Sequence, residues 1–189
     1  MPAPRSSTLT TFAANSLDVL AQARSPDVAL RQLDLFRRVI AGDSIFSIQR
    51  NVTTGRDPVD EIQLQRFYSS EAEQFPVHGT KRKTLTPWVE RLFLQGQVFV
   101  GEGAGVLART FDDFDQMRAY GVQSVVNVPL MQGNLCYATF NVFGTRDLWL
   151  PHEVLGIQLL ALAAARWVTP EPGLTYRFNG SPLDSSVEV

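Results

Sequence analysis

The strongest constraint on how this chain folds is a hairpin in its C-terminal half. Val122 to Met131 and Leu135 to Gly144 are long runs rich in β-branched and aromatic residues, joined through Gln132-Gly133-Asn134, residues that suit a tight antiparallel turn. With a two-residue loop, positions of opposite parity pair. This places Ser124, Val126, Val128 and Leu130 on one face with Tyr137, Thr139, Asn141 and Phe143. The other face carries Val125, Asn127, Met131, Cys136, Ala138, Phe140 and Val142. Both faces are largely apolar, so both are expected to be covered. Polar groups gather on the face of Tyr137, Thr139 and Asn141, which suits a pocket wall, whereas small Ala138 suits close approach of helices to the other face.

Helical signals lie at both ends. Leu9, Phe12, Ala13, Leu17 and Leu20 form one stripe at spacings of three and four. Ser25-Pro26-Asp27 is a cap, a first-turn proline and a first-turn acid, opening a helix with Leu30, Leu33, Phe36, Val39 and Ile40 inward and Gly42 as its stop. Pro151 starts a last helix carrying Val154, Ile157, Leu160, Ala161 and Ala164, which ends near Trp167. Between these ends, Ile45 to Arg50 and Ile62 to Tyr68 alternate as strands around Thr54-Gly55-Arg56-Asp57-Pro58. Ser69 to Lys83 reads as a polar loop, and Thr86-Pro87 caps a helix that turns Trp88 and Leu92 inward. Gln97 to Val100 is a short strand. Thr110 with Asp113 suggests a capping box ahead of a short helix bearing Phe111, Phe114 and Met117, which Gly121 ends.

Composition narrows the function classes. At 189 residues, with 44% hydrophobic and 19% charged, the chain fits one folded domain with tails. Residues 1–24 read as a helical extension, 25–168 as the domain and 169–189 as a mobile tail. A net charge of -2 offers no broad positive field, so nucleic acid is not an expected partner. One cysteine, Cys136, and two histidines, His78 and His152, cannot build a structural zinc cage, and no metal site is expected. The most apolar stretch, Val154 to Ala165, is short of the ~20 residues a bilayer crossing needs, and no signal peptide opens the chain, so a cytoplasmic location away from membranes is expected.

The order of elements, together with a few residues, resembles a GAF domain. Gly121-Val122-Gln123-Ser124-Val125-Val126-Asn127-Val128-Pro129-Leu130 is similar to that family's G-x-x-S-x-x-x-x-P-L strand, and Ala138-Thr139-Phe140-Asn141-Val142 to its G-T-L-N-L strand. Leu150-Pro151-His152-Glu153-Val154 resembles the start of its last helix, and the likeness spans about Asp27 to Val168. Ala138 stands where a glycine is usual, and Leu150 where Ser or Thr is common. The resemblance implies an α+β, profilin- or PAS-like fold: a central antiparallel sheet of five or six strands, terminal helices on one face, and a pocket with short helices on the other. Members of that family bind cyclic nucleotides, tetrapyrroles or metabolites, and many only dimerise, so no particular ligand or cofactor is implied.

Other constellations yield to plainer readings. Gly103, Gly105 and Ala108 spell G-x-G-x-x-A, but no βα unit precedes them and no acid-ended strand follows, so the segment reads as a flexible loop at a pocket mouth. No G-x-S-x-G is present, and Cys136 lies mid-strand without a nearby histidine or a resolving cysteine, so a buried, inert thiol is expected and no enzyme activity. Lys81-Arg82-Lys83 reads as a solvated loop, and Asp112, Asp113 and Asp115 as helix-dipole acids rather than calcium ligands. The expected pocket is walled by Val126, Val128, Tyr137, Thr139 and Asn141 and covered by Trp88, Phe111, Phe114, Met117 and Tyr120. The expectation is therefore a stand-alone sensory or regulatory domain that binds an unidentified small molecule and forms a homodimer through its terminal helices. The alternative is a ligand-free dimerisation or scaffold module that engages another protein.

Overall fold

In a computed structural model, residues 18–179 are described. The stripe expected from Leu9 onward falls mostly outside these residues; its last part, 18–22, is helical and buries Leu20. Helix α1 (Pro26–Ala41) begins as its sequence predicts, with Ser25 in extended conformation and its hydroxyl accepting from the Val28 amide at 3.3 Å. Gly42, at φ 62°, ends it.

Six strands follow: β1 (Ser44–Asn51), β2 (Glu61–Ser69), β3 (Thr80–Thr84), β4 (Phe99–Glu102), β5 (Ser124–Gln132) and β6 (Leu135–Gly144). They form one antiparallel sheet in the order β3-β2-β1-β6-β5-β4. Between β3 and β4, α2 (Pro87–Val89) runs on into a π-helical turn, Glu90–Leu94. Between β4 and β5 lie α3 (Ala104–Thr110) and α4 (Phe114–Ala119), and α5 (Pro151–Ala165) closes the series.

Helices α1 and α5 cover one face of the sheet, packing Leu30, Leu33, Ile157 and Ala161 on Phe46, Ile48, Phe140 and Val142. The two helices approach closely at Gly156, where a Cβ would stand 2.7 Å from Ile40 Cγ2. Leu150 has no side-chain acceptor for the start of α5. Instead Glu153 reaches back to accept from the Leu150 amide at 2.8 Å and also pairs with Arg146. The opposite face holds a second core of Leu64, Trp88, Phe93, Leu107, Phe111 and Phe114 beneath the short helices.

Apart from Val39 of α1, which is exposed rather than turned inward, the structure departs from the sequence reading in four places. The β5–β6 hairpin begins with Gln132 opposite Leu135 and Met131 opposite Cys136, but a bulge follows, and Leu130 pairs with Ala138. Tyr137 is the extra residue, and one extra residue inverts the parity of everything beyond it. Val126, Val128 and Tyr137 therefore face α1 and α5, while Asn127 joins Thr139 and Asn141 on the other side. In the second departure, Thr80 to Thr84 is an edge strand rather than loop. Third, Gly103 at φ 80° leads into α3 in place of a flexible loop, because Leu107 is fully buried and anchors the turn; Thr110 donates to the Val106 carbonyl at 2.8 Å instead of forming a capping box. Fourth, the segment after Val168 is packed as far as Asn179: Leu174 bridges to Thr54, and Phe178 is buried. Leu174, Tyr176 and Phe178 alternate with polar residues, the period of an extended segment lying on a core. Residues 180–189 lie outside the described residues.

Candidate ligand-binding cleft

The sheet face away from α1 and α5 carries a row of buried polar side chains across four adjacent strands. Register places Ser69 of β2 opposite Ser47 of β1, Ser47 opposite Asn141 of β6, and Asn141 opposite Asn127 of β5. All four are buried, and all four line one cleft.

Thr86 caps α2 by accepting from the Val89 amide at 3.2 Å, which sets Trp88 above this row. The Trp88 indole N–H donates to Asn127 Oδ1 at 2.9 Å, Asn127 Nδ2 donates to Asn141 Oδ1 at 2.7 Å, and Asn141 Nδ2 donates to Thr139 Oγ1 at 3.1 Å. A side-chain amide has two donor hydrogens and a two-lone-pair oxygen, so one Asn127 N–H remains beyond these bonds. The walls are apolar: Ile45, Phe75, Phe111, Met117, Val122 and Phe143. Phe111 meets Trp88 edge-on, with ring centroids 5.9 Å apart.

The mouth is charged. Along β3, Lys81 and Lys83 turn towards the cleft, while Arg82 turns outward to Glu61 at 3.3 Å. Lys81 pairs with Asp113, and Lys83 with Asp112 at 3.3 Å. Asp113 occupies the cap position of α4 but makes no side-chain cap bond there, because its carboxylate is taken by β3. Burial works to raise the Asp113 pKa, yet the Lys81 hydrogen bond and charge, with Lys83 behind it, hold it below the usual carboxylate value. Arg66 of β2 lies over the Phe75 ring at 5.5 Å and donates through Nη1 to the Pro76 carbonyl at 3.1 Å. Its Nε is buried and has no partner among the described residues, and burial lowers its pKa against the opposing charge of Asp113. The cavity beneath the mouth is about 60 Å³, room for a few waters.

Of the residues expected to form a pocket, Trp88, Phe111, Met117 and Asn141 line this cleft. Thr139 lies beneath it, bonded to Asn141. Phe114 is buried in the adjoining core, and Tyr120 packs at the rim, edge-on to Phe75 at 4.8 Å. Val126, Val128 and Tyr137 lie on the opposite face, where the Tyr137 hydroxyl donates to the Ala165 carbonyl at 3.2 Å. Ser47, Ser69, Asn127, Arg66, Phe75, Lys81, Lys83 and Asp113 were not expected. Thr80 to Thr84 is wholly polar, so only its pairing with β2 places the lysines, and only the register of the bulged hairpin reveals Asn127. Cys136 is fully buried, and burial pushes its thiol up to about 12. No group of three or more metal-ligating side chains is found among the described residues, and no helix there is long and apolar enough to cross a membrane.

Among solved structures, the chain is similar to the GAF domain of a two-component sensor histidine kinase from Bacillus halodurans, with a TM-score of 0.58 and 12% identity over 76% of this chain and 94% of that one. The fold is that of a GAF domain. The GAF domain of the cyanobacteriochrome TePixJ aligns with a TM-score of 0.52 and 16% identity, over 78% of this chain and 91% of that one. The chromophore-binding domain of a bacteriophytochrome from R. palustris aligns with a TM-score of 0.57 and 12% identity over 87% of this chain. This chain spans 62% of that chromophore-binding domain and 37% of a longer bacteriophytochrome chain from the same source. No protein-family model matches the sequence, and neither does any curated protein. At these identities the likeness establishes the GAF fold, and function rests on the cleft itself.

Proposed function

We propose that this GAF domain is a non-catalytic sensory or regulatory module that binds a small molecule in the cleft and acts as a homodimer. The observation that carries the reading is the row Ser69, Ser47, Asn141 and Asn127, a line of buried polar groups converging on an apolar cavity. Similar structures include domains described as chromophore-binding and as part of a sensor kinase, which agrees with a ligand-binding role. A ligand of ordinary size needs roughly 300 Å³ or more, so binding requires α3 and α4 to move outward from the sheet. Native mass spectrometry of protein purified from its own host is the test. A mass increment lost on denaturation supports the reading, and the bare chain mass alone supports the second one.

That second reading, a ligand-free dimerisation module, is favoured by the small cavity. Both readings share the dimer. On α5, Leu155, Leu159 and Leu162 are 58%, 58% and 71% exposed and form a row at spacings of four and three, and α1 also exposes Leu35 and Val39. Light scattering should show a dimer at micromolar concentration, and Leu159→Glu with Leu162→Glu should yield a monomer. A wild-type monomer would remove this part of the proposal.

A further inference from the structure

The chain has only two lysines, and both line the cleft. Their placement follows from register: β2 and β3 pair Leu64 with Lys81 and Ile62 with Lys83, so alternate side chains of both strands share one face. Arg66 lies two residues beyond Leu64 on that face, its amide bonded to the Gly79 carbonyl at 2.9 Å. Three cations therefore stand side by side at the edge of a cavity that Asp113 alone enters with a negative charge, in a chain whose net charge is -2.

We propose, on the basis of the ligand-binding reading, that the cleft takes a small planar molecule with a terminal carboxylate or phosphate, whose oxyanion replaces Asp113 and Asp112 as the partner of Lys81 and Lys83. The Nε of Arg66, buried and unpartnered among the described residues, supplies a further donor that an oxyanion satisfies. A cationic ligand would face three like charges, and a neutral one would leave that donor unpaired. Once the short helices move outward, the planar body lies against Trp88, Phe111 and Phe143, over the remaining N–H of Asn127. Exchange of partners is feasible because both aspartates sit on the link between α3 and α4 and because Asp112 is almost fully exposed, so its pair with Lys83 is weak. The same exchange opens the cavity: releasing Asp112 and Asp113 unties the link from β3, which frees the short helices to move outward.

The two lysines also provide the assay. The full chain, expressed with lysine labelled at Cε, gives two side-chain resonances for the whole protein. Titration with 2-naphthoate and with its neutral analogue 2-naphthamide should move both resonances strongly for the carboxylate, which should bind at least about tenfold tighter at low salt, with the gap narrowing as salt rises. In Lys81→Gln/Lys83→Gln, followed by Trp88 fluorescence, naphthoate should fall to the affinity of naphthamide while naphthamide is unchanged. Equal affinity of the two probes for the unaltered protein would overturn the charge preference and leave the ligand-binding reading intact. If neither probe binds at millimolar concentration, the net charge of any molecule retained in native mass spectrometry decides: an anion upholds the inference, a neutral or cationic molecule overturns it alone, and no retained molecule overturns both.

Discussion

The two faces of the sheet use the same six strands for different ends. Towards α1 and α5, Phe46, Ile48, Val126, Val128, Phe140 and Val142 form an apolar contact layer, with Phe46 and Phe140 centroids 4.4 Å apart. Towards the short helices, four polar side chains cross four of these strands in a line, and within it Asn127 bonds both Asn141 and Trp88. Burying polar groups, even well-bonded ones, contributes less than burying apolar ones, so the first face should carry most of the stability. The second face keeps spare hydrogen-bonding capacity at some cost in stability.

Five substitutions test that division, taken in order of expected effect. Phe140→Ala should lower unfolding free energy by about 3–5 kcal/mol, read from the urea midpoint, because the large cavity it leaves lies under two packed helices. A loss below about 1 kcal/mol would break the comparison at its strong end. Asn141→Leu should cost about 1–3 kcal/mol, since it strips Asn127 Nδ2 and Thr139 Oγ1 of a partner in a buried site. The double variant Asn127→Leu/Asn141→Leu should cost less than the sum of the singles, because the two residues act through one shared bond; strict additivity in a double-mutant cycle would dissolve the row as a unit.

Tyr137→Phe removes one hydroxyl bond on the helix face and should cost about 0.5–1.5 kcal/mol, with no change in any ligand affinity. A change in affinity would return Tyr137 to the binding site and weaken the division. The smallest effect is electrostatic. Asp113 has a depressed pKa in the folded chain, so its ionised form contributes stability that is present above the unfolded pKa of about 4 and is lost as pH falls through the lower folded value. Lys81→Met should weaken this acid-side dependence, worth at most about 1 kcal/mol for a partly exposed pair, in urea midpoints compared between pH 6 and pH 2. An unchanged slope would show that the pair is not formed in solution.

What could be read from the amino-acid order was whatever depends on neighbours. Ser25-Pro26-Asp27 states its own helix start, and the two long apolar runs around Gly133 state their own strands, because caps and turns are decided within a few residues. The face assignment of β5 was hidden because Tyr137 has the same strand propensity whether or not it is bulged; which residue becomes the extra one depends on how the whole sheet packs. Strand β3 was hidden for a related reason: Thr80 to Thr84 has no apolar residue, and only pairing with β2 makes it a strand. Lys81, Lys83 and Asn127 lie on those two elements, so the pocket was legible in its aromatic cover and not in its charged mouth or in Asn127.

Tyr176 gives the segment after α5 a readable signature in time. Its hydroxyl accepts from the Cys136 amide at 2.8 Å and donates to the Phe93 carbonyl at 2.9 Å, partners 40 and 83 residues away along the chain. Both bonds need β6 and the π-helical turn in place before the segment can lie across them. The segment is therefore among the last parts of the molecule to dock and among the first to detach. Cys136 lies in the longest strand of the sheet, yet its amide proton is held by this late-arriving hydroxyl, so its exchange with solvent reports local detachment of the segment rather than global unfolding.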